Sequence, residues 1–423
     1  MKITIVGGGY VGLVSGACFA KTGHDVTIVD VDSSKVGMIN SKKPPIYEKG
    51  LEEILNETAG KNLCASTGYD SVADSDVSMI CVGTPQGEDG SANLAYIKQA
   101  ASSIGKELKK SLGYRVVAVK STVPPGTTEN FVRPEVLRAS GKSVDDIGFA
   151  MNPEFLREGI AVFDFMNPDR IVVGSDTEKA GEIIEKLYSC INGDVIHTKT
   201  TAAEMIKYTS NAFLATKISF SNEIGNICKA LGVDVYEVMK GVGMDHRISP
   251  YFLNAGAGFG GSCFPKDVSA IASIAEGMGL DPVLLKSVLK INDAQPLRIV
   301  EILENRAGSL KNKKITVLGL AFKDNTDDIR DSRSTPVIGA LLSRGAHVSA
   351  YDPMASGSMK KIYPEIEYCN SPSDALRDSD GCLVMTEWPE FSELDKEFSL
   401  MKSQIVIEGR RILSVEDREG ICW

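Results

Sequence analysis

The chain has 423 residues, of which 43% are hydrophobic and 24% charged, and its formal net charge is −10. This length predicts two or three domains of ordinary globular composition. The acidic balance argues against a general nucleic-acid or membrane-surface binder, although an anionic small substrate needs only a local basic pocket.

Nine cysteines are scattered along the chain, with no Cys-x-x-Cys pair and no zinc-ligand spacing. We therefore expect no disulfide framework and no metal site, and we interpret every cysteine but one as a small buried hydrophobic residue. The sequence has neither the features of a secretory leader nor about 18 consecutive apolar residues, so the cytoplasm is the expected location.

The first predicted element is an apolar strand at residues 3–6, which leads into Gly7, Gly9 and Gly12 in the spacing Gly-x-Gly-x-x-Gly. These glycines allow a tight turn and a close approach of the backbone to a pyrophosphate, which the start of the following helix then faces. Asp30 ends the next strand, where a carboxylate accepts hydrogen bonds from the ribose hydroxyls and repels a 2′-phosphate. The sequence therefore predicts NAD as the cofactor, in preference to NADP.

Two further loops, at residues 81–85 and 120–126, each follow an apolar strand. In a doubly wound sheet, the loops at the carboxyl ends of the strands line the ligand crevice. Ordinary turn chemistry explains their Gly and Pro residues equally well, so Thr122 alone does not decide between the two interpretations.

The segment at residues 152–159 is predicted to be a short capped helix, with Asn152 as its N-cap and Glu154 and Glu158 on one face. Residues 200–231 predict a long connecting helix that carries Lys207 and Asn211 four positions apart. For both pairs a solvated polar helix face is the alternative, and the spacing alone leaves it open.

The most informative segment is residues 258–267, in which Cys263 follows a glycine turn and precedes a predicted helix start. Backbone N–H groups, the positive helix end and the cation of Lys266 all favour a thiolate there, which is the nucleophilic form. Asp267 lies four positions after the thiol. We interpret Cys263 as a nucleophile that holds an intermediate covalently.

The C-terminal part echoes the N-terminal part: residues 2–7 are answered by 314–319, and residues 23–30 by 345–352. Apolar strands alternating with helices predict parallel sheets covered on both faces. The fold class is thus α/β, with two doubly wound parallel-sheet domains joined by a long helix and a helical central domain. The predicted domains are residues 1–199, 200–303 and 304–423, and residues 304–314 are predicted to be a linker.

Oxidation of an alcohol needs a base for its proton, a hydride acceptor and a donor to the developing oxyanion. A thiol beside such a site attacks the aldehyde to give a thiohemiacetal, a second oxidation gives a thioester, and an activated water releases an acid. The lysine, asparagine, glutamate and cysteine picked out above are the residue types that this chemistry requires.

Over essentially its whole length the chain resembles the UDP-glucose/GDP-mannose dehydrogenase family. Members of this family oxidise a nucleotide-sugar alcohol to its uronic acid, reduce two NAD and release no free aldehyde. The segments that carry the resemblance are residues 7–12, 120–126, 152–159, 168–170, 207–211, 258–267, 319–323 and 328–330.

The resemblance implies Rossmann-type folds for the two sheet domains, a homodimer formed through the central helical region, and a role for individual residues. The implied catalytic residues are Cys263, Lys207, Asn211, Glu154, Asp267 and Thr122. The implied cofactor contacts are Gly7, Gly9, Val11, Gly12, Asp30, Lys35, Thr84, Thr122, Glu158, Lys266 and Arg330. The implied substrate contacts are Glu154, Phe155, Leu156, Arg157, Glu158, Lys207, Asn211, Arg247, Phe252, Leu253, Asn254, Ala255, Gly256, Gly260, Lys323 and Arg410, with Arg247 reaching the site of the partner subunit.

The residues around Arg247 and Phe252, together with Ser262 before the cysteine, are most similar to the branch of the family that acts on UDP-glucose. The same chemistry on GDP-mannose or on a UDP-N-acetylhexosamine is the alternative. A two-electron sugar dehydrogenase would leave Cys263 without a role, and a non-catalytic nucleotide-sugar sensor would be expected to lack one of the reactive residues.

Overall fold

The computed structural model describes residues 1–87, 89–414 and 418–423. Its contacts divide the chain into two units, Met1–Ser210 and Asn211–Trp423, and the division falls within one long helix. The three-domain division expected from the sequence stays a prediction.

The first unit alternates strands and helices along the chain. Its strands are β1 (Lys2–Val6), β2 (Asp25–Val29), β3 (Leu63–Ser66), β4 (Val77–Ile80), β5 (Arg115–Val119), β6 (Ile147–Met151), β7 (Ile171–Ser175) and β8 (Val195–Thr198). Its helices are α1 (Tyr10–Lys21), α2 (Ser33–Asn40), α3 (Leu51–Thr58), α4 (Ala95–Leu108), α5 (Arg133–Ser140), α6 (Ala161–Met166), α7 (Glu178–Leu187) and the first part of α8 (Thr200–Leu231).

Among the described residues of this unit, one sheet has the strand order β3-β2-β1-β4-β5-β6-β7-β8. The apolar strands are buried on both faces, as a parallel sheet between helices requires, and Ile5 pairs with Ile28 on one side and with Met79 on the other. One pair departs from the expected parallel arrangement, because β7 runs antiparallel to β6. The strand order reverses direction between β1 and β4, which is where an open α/β sheet binds its ligand.

The second unit begins within α8 and contains helices before its sheet. Its further helices are α9 (Val235–Gly243), α10 (Phe264–Gly277), α11 (Val283–Ala307), α12 (Ser334–Ser343), α13 (Ser356–Met359) and α14 (Pro372–Leu376). Its strands are β9 (Lys314–Leu318), β10 (His347–Tyr351), β11 (Glu367–Tyr368), β12 (Gly381–Val384), β13 (Val406–Glu408) and β14 (Glu419–Gly420).

The strands of this unit that the structure describes form a fully parallel sheet in the order β11-β10-β9-β12-β13-β14. This order places β9 and β12 side by side, as β1 and β4 are in the first unit. The similarity between the two ends of the sequence thus reflects a shared strand order around the first strand of each sheet. The prediction of two doubly wound sheets is confirmed.

Three predictions about local structure were wrong. Residues 152–158 do not form a helix: the Asn152 and Glu154 side chains turn inward to buried partners, and the next helix begins only at Ala161. The predicted linker begins too early, since α11 continues to Ala307 and ends at Gly308, whose φ of +73° stops the helix. The prediction that every cysteine other than Cys263 is buried fails at three positions, because Cys64 and Cys190 are exposed and Cys369 is only partly buried.

Helix α8 is predicted correctly, from Thr200 to Leu231, with Gly232 at a φ of +70° after its end. Its buried Glu204 accepts hydrogen bonds from the Gly126 and Thr128 backbone N–H groups and from the Thr128 hydroxyl. These bonds fix the loop after β5 to the first turns of α8. Among the helices of the described residues, none is both long and apolar enough to cross a membrane.

Candidate active site

The glycine turn after β1 has the shape that a dinucleotide requires. Gly7 has a φ of +107°, and a Cβ on Gly12 would lie 1.9 Å from the Gly7 carbonyl oxygen, so larger side chains are excluded at both positions. Gly9 is different, because no atom lies within 4 Å of the place where its Cβ would be. The N-terminus of α1 therefore opens onto free space at Gly9, where a pyrophosphate fits.

Asp30 lies beside this turn, where the ribose of a dinucleotide is expected. Its carboxylate accepts hydrogen bonds from the Gly8 N–H at 2.7 Å and from the Asp32 N–H at 2.9 Å. Each carboxylate oxygen has a second lone pair for a ribose hydroxyl. The predicted contacts Val11 and Lys35 are both partly buried, on α1 and on α2.

The loops after β4 and β5 are joined to each other by side-chain hydrogen bonds. The Thr84 hydroxyl donates to the Thr122 carbonyl oxygen at 2.9 Å, and the Ser121 hydroxyl donates to the Val82 carbonyl oxygen at 2.6 Å. Thr84 and Thr122 were both predicted as cofactor contacts, and the structure brings them together beside the switch between β1 and β4.

Glu154 and Lys207 form a buried ion pair, with 2.9 Å between the Lys207 Nζ and Glu154 Oε1 atoms. Glu154 is 6% exposed and Lys207 is 3% exposed. Neither residue therefore belongs to a solvated polar helix face, which was the alternative that the sequence left open for each of them. Burial alone would raise the pKa of Glu154, but the Lys207 charge and a hydrogen bond from the Leu156 N–H outweigh it and hold the pKa below its usual value. Glu154 is thus a buried carboxylate that stays ionised.

A second buried lysine, Lys120, lies close enough to Glu154 for its charge to help lower the Glu154 pKa. The sequence analysis did not single it out. Lys120 is 2% exposed and donates to the Asn152 side-chain oxygen and to the Tyr188 hydroxyl, both at 3.1 Å. The Tyr188 hydroxyl in turn donates to the same Asn152 oxygen at 2.5 Å. Lysines in loops are common, and only the burial of Lys120 and its partners in space distinguish it, so its sequence context could not have revealed it.

The other residues of the 152–159 segment lie around the ion pair or at the surface. Phe155 stacks against the Arg170 guanidinium, whose centre lies 4.0 Å from the ring centroid, and Arg157 pairs with Asp164 at 2.6 Å. Leu156 and Glu158 are partly buried.

In the second unit, Cys263 is the residue that precedes α10, and Pro265 lies in the first turn, as predicted. The thiol is partly exposed and lies at the positive end of a fourteen-residue helix. Asp267, which is 1% exposed, accepts a hydrogen bond from the Asn211 amide at 2.6 Å and one from the Lys266 ammonium. The structure therefore brings the Asn211 side chain of α8 to Lys266 and Asp267 in the first turn of α10.

The predicted substrate contacts of this unit differ in their surroundings. A Cβ on Gly256 would lie 2.5 Å from Arg410, and one on Gly260 would lie 2.3 Å from the Asp331 carbonyl oxygen, so the loop before Cys263 is closely surrounded. Arg330, which was predicted as a cofactor contact, pairs with Asp328 at 2.6 Å. The remaining predicted contacts are the exposed Arg247, Phe252 and Asn254, the buried Leu253 and Ala255, and the partly buried Lys323.

Arg247 lies on an exposed turn, where its guanidinium pairs with Asp245 at 2.5 Å. Phe252 has a φ of +63° and contacts Phe264 with 6.3 Å between the ring centroids. The side chains of Leu253 and Ala255 belong to the hydrophobic core, so only their backbone can face a ligand.

Comparison with known proteins decides the family. Its NAD binding domain matches residues 1–192, its central domain residues 201–294 and its UDP binding domain residues 316–415. The chain belongs to the UDP-glucose/GDP-mannose dehydrogenase family. It is an enzyme, an NAD-dependent oxidoreductase, and the glycine turn and Asp30 are the residues that fit NAD.

Two relatives match nearly the whole chain. UDP-glucose 6-dehydrogenase AglM of Haloferax volcanii is 47% identical over 100% of this chain and 99% of that protein. UDP-glucose 6-dehydrogenase TuaD of Bacillus subtilis is 45% identical over 99% of this chain and 91% of that protein.

Solved structures agree with this assignment. A UDP-glucose dehydrogenase from Pyrobaculum islandicum matches with a TM-score of 0.95 and 41% identity, covering 100% of this chain and 98% of that one. A UDP-D-ManNAc dehydrogenase from Pyrococcus horikoshii matches with a TM-score of 0.88 and 28% identity, covering 100% and 99%.

The buried ion pair gives a prediction for stability. Replacement of Lys207 by Met should lower the free energy of unfolding by about 3 to 5 kcal/mol near pH 7, because the Glu154 charge is left buried without its partner. In wild type the lowered pKa of Glu154 contributes stability that is lost only as the pH falls through that pKa. In the variant the Lys207 charge no longer offsets burial, so the pKa of Glu154 should rise, and the loss should shrink at acid pH as Glu154 takes up a proton.

Denaturant unfolding of the wild type, Lys207→Met and the double variant Lys207→Met/Glu154→Gln checks this prediction. The double variant should recover part of the stability lost by the single one. Equal losses in both variants, or a loss that does not change with pH, would show that the pair is not what stabilises this site.

The geometry of the glycine turn gives a prediction for cofactor binding. Asp30→Ala should raise the dissociation constant of NAD about tenfold or more, since a carboxylate that accepts ribose hydrogen bonds is lost. Calorimetric titration measures the change, with Asp25→Ala as the control because Asp25 is exposed at the other end of the same strand. Unchanged NAD affinity in Asp30→Ala would mean that the ribose lies elsewhere.

Proposed function

We propose that the chain oxidises the C6 alcohol of UDP-glucose to the carboxylate of UDP-glucuronate, through a covalent intermediate on Cys263. The observation that carries the proposal is the position of Cys263 at the N-terminus of α10, where the helix end favours a thiolate. The two relatives described above, which bear the name UDP-glucose 6-dehydrogenase, support the choice of sugar nucleotide.

Bound NAD supplies the acceptor for each of two successive hydrides. The buried Lys207 ammonium and the Asn211 amide provide the hydrogen-bond donors for the oxygen that becomes negative as the alcohol is oxidised. The two residues lie four positions apart on α8. Thr122 and Asp267 are proposed to hold the water that takes the hydroxyl proton.

The thiolate of Cys263 then adds to the aldehyde carbon, and the carbonyl oxygen becomes the oxyanion of a thiohemiacetal. Loss of the remaining hydride from that carbon restores the C=O bond and leaves a thioester. Glu154, which the Lys207 charge keeps ionised, takes a proton from a water molecule as that water attacks the thioester, so that the acid leaves and the thiol is regenerated. Overall, one alcohol, one water and two NAD+ become one carboxylate, two NADH and three protons.

The remaining assignments belong to the same proposal. Lys35, Thr84, Glu158, Lys266 and Arg330 would contact the cofactor, and Lys323, Arg410 and residues 252–256 would contact the sugar nucleotide. The three domains at residues 1–199, 200–303 and 304–423 would hold the cofactor, the thiol and the nucleotide. A cytoplasmic location is supported by the nine free cysteines, because that compartment keeps thiols reduced.

Counting products tests the covalent step. The wild type should form two NADH for each UDP-glucose consumed, and Cys263→Ala should form no acid. Cys190→Ala is the matched control, since that cysteine is exposed in the turn after α7 and should keep full turnover. A ratio of one NADH to one sugar, or acid formed by Cys263→Ala, would contradict the proposal.

Two further measurements fix the intermediate and the sugar. Mass spectrometry of Glu154→Gln quenched during turnover should find the sugar nucleotide attached to Cys263, because hydrolysis is slowed. Parallel assays with UDP-glucose, GDP-mannose and UDP-N-acetylmannosamine should give the highest kcat/KM with UDP-glucose, and a higher value with either of the others would reassign the substrate.

A homodimer through the central helices is the second part of the proposal. On α8, Phe213, Phe220 and Ile227 repeat every seven residues and are 63%, 49% and 51% exposed, and Leu231 continues the stripe. A seven-residue apolar repeat is the pattern by which one helix packs along another. A second copy of the same stripe is the partner that a two-fold axis would supply.

The double variant Phe213→Glu/Phe220→Glu should therefore convert a dimer to a monomer, since two charges would enter the proposed interface. Sedimentation equilibrium measures the mass, and Leu112→Glu, at an exposed position of the first unit, should leave it unchanged. A wild-type chain that sediments as a monomer would contradict this part of the proposal.

A further inference from the structure

The loop that leads to Cys263 is held by polar side chains of another helix. The Asn292 side chain, on α11, accepts a hydrogen bond from the Phe259 N–H at 2.7 Å and donates one to the Phe259 carbonyl oxygen at 3.0 Å. Asn292 is 1% exposed. This paired contact fixes both backbone groups of one residue, as a neighbouring strand would in a sheet.

A second amide, one turn further along α11, holds the same loop. The Gln295 amide donates to the Gly256 carbonyl oxygen at 3.0 Å, and the Asn222 side chain accepts from the Gly256 N–H at 2.8 Å. Gln295 is 1% exposed and Asn222 is fully buried. The backbone on each side of Gly258 is therefore held by side chains of α8 and α11.

The loop residues are glycines where these contacts leave no space. A Cβ on Gly258, which has a φ of +103°, would lie 2.6 Å from the Asn292 side-chain oxygen. A Cβ on Gly261, at a φ of +84°, would lie 2.7 Å from the Phe322 ring, and the Gly261 N–H donates to the Arg330 carbonyl oxygen. The loop thus has one close-fitted path, with Asn292 on its α11 side.

We infer that Asn292 is a positioning residue for the Cys263 thiol, in that its paired contact with Phe259 sets where the chain enters α10. This inference rests on the proposed function, because it concerns how the proposed nucleophile is oriented. Phe259 lies four residues before the thiol and packs with Val268 of α10 and Val288 of α11 in one buried cluster. A shift of Phe259 is therefore passed to the first turn of α10, where the thiolate needs its helix N–H groups.

The prediction concerns turnover and not binding. Asn292→Ala should lower kcat about tenfold or more and leave the KM for NAD near its wild-type value, because displacement of a reacting atom by about 1 Å can cost up to about a hundredfold in rate. The rate of Cys263 alkylation by iodoacetamide at pH 7, followed by peptide mass spectrometry, should fall together with kcat. Asn292→Asp, which keeps the side-chain volume and the acceptor but loses the donor, should show the same split and serves if the alanine variant does not fold.

A matched control exists in the first unit. The Asn40 side chain makes the same paired contact, donating to the Ala65 carbonyl oxygen at 2.9 Å and accepting from the Ala65 N–H at 2.8 Å. Asn40→Ala removes this contact from β3, which carries the exposed Cys64 but not Cys263, and should leave kcat and the alkylation rate of the Cys263 peptide unchanged. Comparison of the two variants separates the loss of one such pair from an effect on Cys263.

The possible failures are distinguishable. Wild-type kcat in folded Asn292→Ala and Asn292→Asp would overturn the inference, and so would a lowered kcat with an unchanged alkylation rate, since the effect would then not pass through the thiol. If wild-type protein keeps its turnover after complete alkylation of Cys263, the proposed function itself is wrong.

Discussion

The buried contact between Glu154 and Lys207 is the constraint on which the first unit's site depends. Neither charge can remain in the interior without the other, because an unpaired buried ion costs several kcal/mol. The chain after β6 therefore does not continue into a helix, so that the Glu154 carboxylate can reach Lys207 of α8. Glu204 adds a second tie, from the same helix to the loop after β5. These two contacts fix the segments around Glu154 and Thr122 in place.

The same contacts explain which parts of the site sequence reasoning could reach. The glycine turn, Asp30, α8 and the start of α10 depend on local chemistry, namely positive φ, helix spacing and capping, and all of them were predicted from the chain. Residues 152–158 carried equally good local signals for a helix, with a capping residue and Pro at the first turn. Local propensity lost there because the Asn152 and Glu154 side chains bind partners far along the chain, and no spacing rule contains that information.

Lys120 and Asn292 are residues that sequence reasoning missed because they carry no local signal. Each has an unremarkable sequence context, and each acquires its meaning from burial and from partners in other elements. The exposed Cys64 and Cys190 were assigned wrongly for a related reason, since the average burial of a residue type says little about one position on an edge strand or a turn. Reactive residues that lie in local motifs can be identified from the sequence. The residues that hold them in place can be identified only from the three-dimensional structure.

The two sheets share one topology but differ at the turn after their first strand. The difference lies in the hydrogen bonds that one carboxylate accepts in each unit. In the first unit, Asp30 takes one N–H of the glycine turn and leaves the space at Gly9 open. In the second unit, the equivalent Asp352 accepts hydrogen bonds from the Leu320 and Ala321 N–H groups and from the Trp388 indole. The Leu320 bond corresponds to the one between Gly8 and Asp30, but the Ala321 N–H corresponds to that of Gly9, which lies beside the open space in the first unit. An internal carboxylate has taken the anion's place, so this turn is closed to a dinucleotide, and a ligand of the second sheet must be bound by other groups at the strand ends.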